Sequence, residues 1–157
     1  MFRRQRSDAL QFFAVAALVV AADQLSKRYI ASHFLPGESR IVIPNLLRWT
    51  YEQNQHGAFG LFGDSPALLI AMAVLVLAVF WLSFRDQAKQ SVTVRIAFGM
   101  ILGGAIGNIV DRLHYRFVID FIDFYKIWPN IFDIADSCIT AGVILLILSS
   151  LAPRRRA

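Results

Sequence analysis

Five aspartates crowd the segment from Asp111 to Asp136: Asp111, Asp120, Asp123, Asp133 and Asp136. In Val118-Ile-Asp-Phe-Ile-Asp123 two acids stand three apart among large apolar residues. Phe132-Asp-Ile-Ala-Asp136 repeats that spacing at the start of an apolar run. Carboxyl groups set against apolar surface hold their protons, and a second carboxylate nearby strengthens the hold. Two carboxyls sharing one proton can divide the work of peptide hydrolysis. One takes a proton from water, and the other gives one to the leaving amine. That is the chemistry of an aspartic peptidase, although spacing by itself does not choose the pair.

Each of these residues also has an ordinary reading. Asp133 and Asp136 fit an N-cap followed by a first-turn acid, both satisfied by the free N–H groups and dipole of one helix, and for Asp133 this reading is preferred. Asp123 reads as a solvated acid beside Lys126. Asp23 and Lys27 stand four apart and can pair along one helix, while Asp111 and Arg112 can compensate each other. Gly99, Gly103 and Gly107, with Gly104 beside them, line a helix face for close packing. Cys138 is the sole cysteine, so no internal disulfide can form, and its place in an apolar run favours packing over a nucleophilic role. His33, His56 and His114 are scattered without ligand spacing, so neither a metal nor another cofactor is expected.

The elements that must position these groups follow from composition. Of 157 residues, 57% are apolar and 17% charged, and the mean hydropathy is +0.53. Those values exclude disorder, a disulfide-rich secreted fold and an ordinary water-soluble globule. Four apolar stretches, about residues 10–30, 67–84, 94–111 and 134–151, approach the ~20 residues that cross a hydrocarbon core. The expected fold is therefore an all-α membrane protein of four transmembrane helices in a single domain. Between the spans lie two outer loops, about 31–66 and 112–133. Arg40-Ile-Val-Ile-Pro and Leu46-Leu-Arg-Trp-Thr-Tyr, separated by a Pro44-Asn45 turn, predict a small extracytoplasmic β-sheet in the first loop. Trp49, Tyr51, Tyr125 and Trp128 are expected at the outer interface.

Charge orients the chain. The net charge is +5, but Arg3, Arg4 and Arg6 stand at one end and Arg154, Arg155 and Arg156 at the other. Such flanking clusters suit membrane orientation rather than nucleic acid. With Arg85, Lys89 and Arg95 they fall on one side of a four-span topology, which places both termini in the cytoplasm and the acids near the outer border. A cleaved signal peptide over residues 1–22 is disfavoured, because polar residues at helical spacing continue directly out of that run.

Taken in order, Asp23-Gln-Leu-Ser-Lys27, Gly107-Asn-Ile-Val-Asp-Arg112, Val118-Ile-Asp120-Phe-Ile-Asp and Phe132-Asp-Ile-Ala-Asp136-Ser resemble the motifs of the lipoprotein signal peptidase (signal peptidase II) family. The resemblance covers nearly the whole chain. It implies an intramembrane aspartic endopeptidase of the bacterial inner membrane. Such an enzyme removes the signal peptide of a prolipoprotein on the amino side of a diacylglyceryl-modified cysteine, in contact with membrane lipids, and is expected to work as a monomer. By motif, Asp120 and Asp136 match the catalytic dyad. Asn108 and Arg112 match positions lining the substrate cleft, and Asn54 matches the asparagine that opens a segment of the first outer loop. Asp23, Lys27 and Asp111 match supporting positions. Two departures are visible: His56 stands where the family usually has glycine, and Asp133 where it usually has asparagine. As an N-cap the latter pair are nearly equivalent, but a third carboxylate can raise the proton affinity of the dyad.

Within that reading, the dipole of the fourth span favours charge on Asp136, and apolar neighbours in a loop or short helix favour a proton on Asp120. The segment from Asn54 to Phe62, bearing Gly57 and Gly60, is expected to close over substrate as a lid. Two rival classes predict different patterns. A small proton- or ion-coupled transporter would spread its acids through membrane depth, and a non-catalytic assembly factor would need no paired aspartates.

Overall fold

The computed structural model describes residues 2–55, 65–88 and 91–151. Its elements in chain order are α1 (Phe2–His33), β1 (Ser39–Ile43), β2 (Leu47–Asn54), α2 (Pro66–Ala88), α3 (Val92–His114), β3 (Val118–Asp123), β4 (Ile131–Phe132) and α4 (Ile134–Leu151). Among the described residues, three helical segments are long and apolar enough to cross a membrane: Asp8–His33, Val92–His114 and Ile134–Leu151. The apolar part of α2, Ala67–Ser83, is shorter, so by length and composition three of the four expected spans are found among the described residues.

Helix α3 is the axis of the bundle, packed between α1 and α4. Its glycines make that possible. A Cβ on Gly103 would lie 2.6 Å from the Ala16 carbonyl oxygen of α1, and one on Gly104 would lie 2.6 Å from the Ala135 oxygen of α4. Gly99 meets Val15 in the same way, and Gly142 of α4 receives Ile101 of α3. The packing reading of this stripe therefore holds, on two faces of α3 rather than one. Val94, Ala97, Phe98 and Ile101 of α3 form an apolar core with Leu146 of α4. Leu10, Phe13 and Leu18 of α1 and Ile144, Ile147 and Leu148 of α4 point outward, the reverse of a water-soluble bundle.

A four-stranded antiparallel sheet of order β1-β2-β3-β4 caps one end of these helices. The hairpin over residues 39–54 turns at Pro44–Leu46 as the sequence predicts, with Asn45 at φ 64°. The second expected loop, 112–133, is corrected. Its first residues extend α3 to His114, and the remainder supplies β3 and β4. The VIDFID strand is buried on both faces, so it lacks the apolar–polar alternation that marks a half-exposed strand. Ile119 and Phe121 of β3 join Tyr51 of β2 over Ile30 and Phe34 at the end of α1. Tyr51 is thus a core residue and not an interfacial one, whereas Trp49 and Trp128 are exposed.

Candidate active site

The junction of sheet and bundle is built around one buried ammonium. Lys27 of α1 is 2% exposed. Its Nζ lies 2.9 Å from Asp23 Oδ2, 2.9 Å from Asp111 Oδ2 and 2.6 Å from Asp133 Oδ2, and it donates to Asn108 Oδ1 at 2.9 Å. A lysine placed in an apolar bundle is costly unless its N–H donors all find partners, and here they do. The i,i+4 pair of Asp23 and Lys27 forms as expected. Asp111, by contrast, is paired with Lys27 and not with Arg112, a partner on another helix that local spacing could not reveal.

The acids around Lys27 also stitch the elements together. Asp23 Oδ1 accepts from the Ala135 N–H at 3.0 Å, so a carboxylate of α1 satisfies a free donor at the start of α4. Asp111 Oδ2 accepts from the Ile119 N–H at 3.2 Å and holds the start of β3. Asp133 Oδ1 accepts from the Asp136 N–H at 2.6 Å, which is the N-cap geometry anticipated for it. Its second oxygen takes the Lys27 ion pair as well. Gln24, missed from sequence, donates to Asp111 Oδ1 at 2.8 Å and to the Gly107 carbonyl at 3.2 Å. It lies inside the Asp23–Lys27 motif, but nothing local marks it as bridging α1 to α3.

Asp120 and Asp136 are brought together beside this cluster. One carboxylate oxygen from each of Asp120, Asp133 and Asp136 lies within 4.8 Å of the others. Asp120, on β3, is 1% exposed and accepts from Asn54 Nδ2 at 2.8 Å through Oδ2. Among the described residues its Oδ1 has no hydrogen-bond partner. Asp136, in the first turn of α4, accepts from Asn108 Nδ2 at 2.9 Å. Asn108 therefore touches Lys27 with its oxygen and Asp136 with its nitrogen, and those two contacts orient the amide. The Arg112 guanidinium, half-buried, is close enough to Asp136 and Asp120 to interact with both charges.

Burial pushes the Asp120 carboxyl well above the ordinary carboxylate range, helped by the negative charges of Asp133 and Asp136 and opposed by Asn54 and Lys27. Asp133 is raised to about 7, again chiefly by burial and next by Asp136, with Lys27 pulling the other way. The direction for Asp120, toward the protonated form, is the one that its apolar neighbours led one to expect. The three carboxyls are close enough to interact directly, and both oxygens of Asp133 are already engaged by the Asp136 N–H and Lys27.

Asp123 does not belong to the site. Three positions along a strand turn it to the opposite face from Asp120. There it is buried, with its Oδ2 2.5 Å from Arg48 Nε and 2.9 Å from Thr50 Oγ1. The solvated reading beside Lys126 is corrected, since Lys126 donates instead to Asn45 Oδ1 at 2.6 Å. His56, and the expected lid apart from Asn54 and Gln55, lie outside the described residues.

Comparison with known proteins follows the same outline. A family model described as Signal peptidase (SPase) II matches residues 15–152. A lipoprotein signal peptidase from Moorella thermoacetica is 38% identical over 92% of this chain and 95% of its own length. One from Syntrophomonas wolfei is 40% identical over 94% and 97%. A bacterial membrane enzyme solved in meso at 2.3 Å superposes with a TM-score of 0.83 at 30% identity, covering 93% of each chain. Another, solved at 1.9 Å, gives 0.79 at 32% identity over 89% of this chain and 92% of its own.

Proposed function

The chain belongs to the signal peptidase II family, and from that premise we propose that it is an aspartic endopeptidase of the bacterial inner membrane that removes signal peptides from diacylglyceryl-modified prolipoproteins. Cleavage falls on the amino side of the lipidated cysteine. Asp120 and Asp136 are the catalytic dyad. The observation that carries this reading is the approach of their carboxyls, together with an Asp120 oxygen that has no hydrogen-bond partner among the described residues.

In the proposed step the Asp136 carboxylate takes a proton from water as the water oxygen bonds to the scissile carbonyl carbon. The carbon–nitrogen bond then breaks, and Asp120 gives its proton to the departing nitrogen. The dyad ends with one proton, now on Asp136, and a proton shift restores the starting state. Asn54 and Asn108 hold the two carboxyls through the 2.8 and 2.9 Å hydrogen bonds described above. Lys27, Asp23, Asp111 and Asp133 fix the elements that carry them, and Arg112 lines the substrate side.

The membrane supplies the rest of the selectivity. A signal peptide's apolar segment can reach a site between spans by lateral diffusion. The diacylglyceryl chains stay in lipid, because moving them into water costs ~0.8 kcal/mol per methylene. In this arrangement α2 is the fourth span, both termini are cytoplasmic, the dyad lies at the outer border and the enzyme acts as a monomer.

Purified protein incubated with a lipidated precursor is expected to reduce its mass by that of the signal peptide. Asp120→Asn and Asp136→Asn are each expected to lower the rate roughly a thousandfold or more while the protein still inserts and binds precursor. Full activity in either variant would remove the dyad assignment. An ion-coupled transporter would leave the precursor mass unchanged.

A further inference from the structure

We infer that Asp133 is a third member of the proton-holding carboxyl group, a positioning residue that sets how firmly Asp120 and Asp136 keep their shared proton. The inference rests on the reading of those two residues as the dyad. Its geometric basis is independent of that reading. The Asp133 side chain is 0% exposed, and one of its oxygens lies within 4.8 Å of an oxygen on each dyad member. Its Oδ1 is held 2.6 Å from the Asp136 N–H and its Oδ2 2.6 Å from Lys27 Nζ, so the carboxylate cannot swing away.

Charged groups face Asp133 from every neighbouring element. Helix α1 contributes Asp23 and Lys27, α3 contributes Asp111 and Arg112, β3 contributes Asp120, and α4 contributes Asp136. Among the described residues, five acids thus share a desolvated pocket with two bases. Such a group must retain protons near neutrality, because full ionisation there is opposed by both burial and repulsion. Asp133, raised to about 7, ionises in that same interval. Once ionised, it adds a negative charge beside Asp120 and makes the dyad's proton harder to lose. A neutral capping residue would keep the helix end without this effect.

The test is the pH dependence of kcat on a lipidated precursor for Asp133→Asn and Asp133→Ser, both of which keep a side-chain oxygen for the cap. Loss of the charge is expected to move the alkaline limb of the profile to lower pH by about one unit and to leave the acid limb, where Asp133 is already protonated, in place. At a fixed pH on the alkaline limb this reads as roughly a tenfold lower rate. A purely structural role would scale the rate at every pH and leave the limbs in place, and that result overturns the inference. If neither variant is obtained folded, infrared titration of the unaltered protein decides. Protonated-carboxyl absorption vanishing in more than one step above pH ~5 supports a three-member group, and a single step rejects it. Activity surviving in Asp120→Asn or Asp136→Asn would instead remove the dyad, whatever the limbs of the Asp133 variants do.

Discussion

Lys27 and its acids show how much a single buried charge can organise. Breaking a buried ion pair by removing one partner leaves the other charge uncompensated and costs about 3–5 kcal/mol. Lys27→Met strips the cation from three carboxylates and the donor from Asn108. It is expected to lower stability by at least that amount, seen as a lower midpoint for thermal unfolding in detergent. The pH dependence has a definite sign. Asp133 is raised to about 7 in the folded chain, so between pH ~4 and 7 the folded state binds more protons than the unfolded one. Its contribution to stability is fully present below the unfolded carboxyl value and is lost as pH rises through about 7. The unfolding midpoint of the unaltered protein is therefore expected to fall across that interval, and to fall less in Asp133→Asn. At this scale the sequence was informative where interactions are local. The Asp23–Lys27 pair and the Asp133 cap follow from separations of four and three residues. The Lys27–Asp111 pair and the Gln24 bridge join distant positions, which no local spacing encodes.

The elements were legible where residue type and turn signals marked them. The β1–β2 hairpin carries β-branched residues on both sides of a Pro-Asn turn, and it forms where expected. Strand β3 was hidden because both of its faces are covered, and β4 because Ile131–Phe132 is too short to show any period. Yet β3 is what carries Asp120 into register opposite Glu52 and beside Asn54. The family motifs therefore pointed to Asp120 without revealing what holds it. Helix α3 offers the sharpest test of packing. A valine at Gly103 would drive its side chain into Ala16 and Val19 of α1. Overpacking of this kind costs about 1–3 kcal/mol. Gly103→Val is expected to lower the unfolding midpoint, whereas Gly37→Ala, where no atom lies within 4 Å, tests only the strain of φ +83°.

Across the whole molecule, polar and apolar matter are sorted by position along the helices. The sheet, the acids and Lys27 share one end. Near the other, Arg95 of α3 pairs with Asp8 of α1 at 3.1 Å. The basic residues near both termini and in the connection before α3 suit a cytoplasmic face at that second end. A fluorescent reporter fused after Ala157 is expected to fold and fluoresce inside the cell, and a phosphatase reporter at the same point to stay inactive. The opposite pattern would invert the proposed topology and place the dyad at the inner leaflet.

Translation order gives the Lys27 cluster one more consequence. The ammonium emerges on α1 with Asp23 close by, gains Asp111 when α3 follows, and meets Asp133 only as the last helix begins. Until then the nascent bundle carries a cation short of one counter-ion, and the start of the last helix has yet to receive the Asp23 carboxylate. A chain ending before Asp133 is therefore expected to hold α1 and α3 together less firmly than the full chain, seen as a lower unfolding midpoint in detergent.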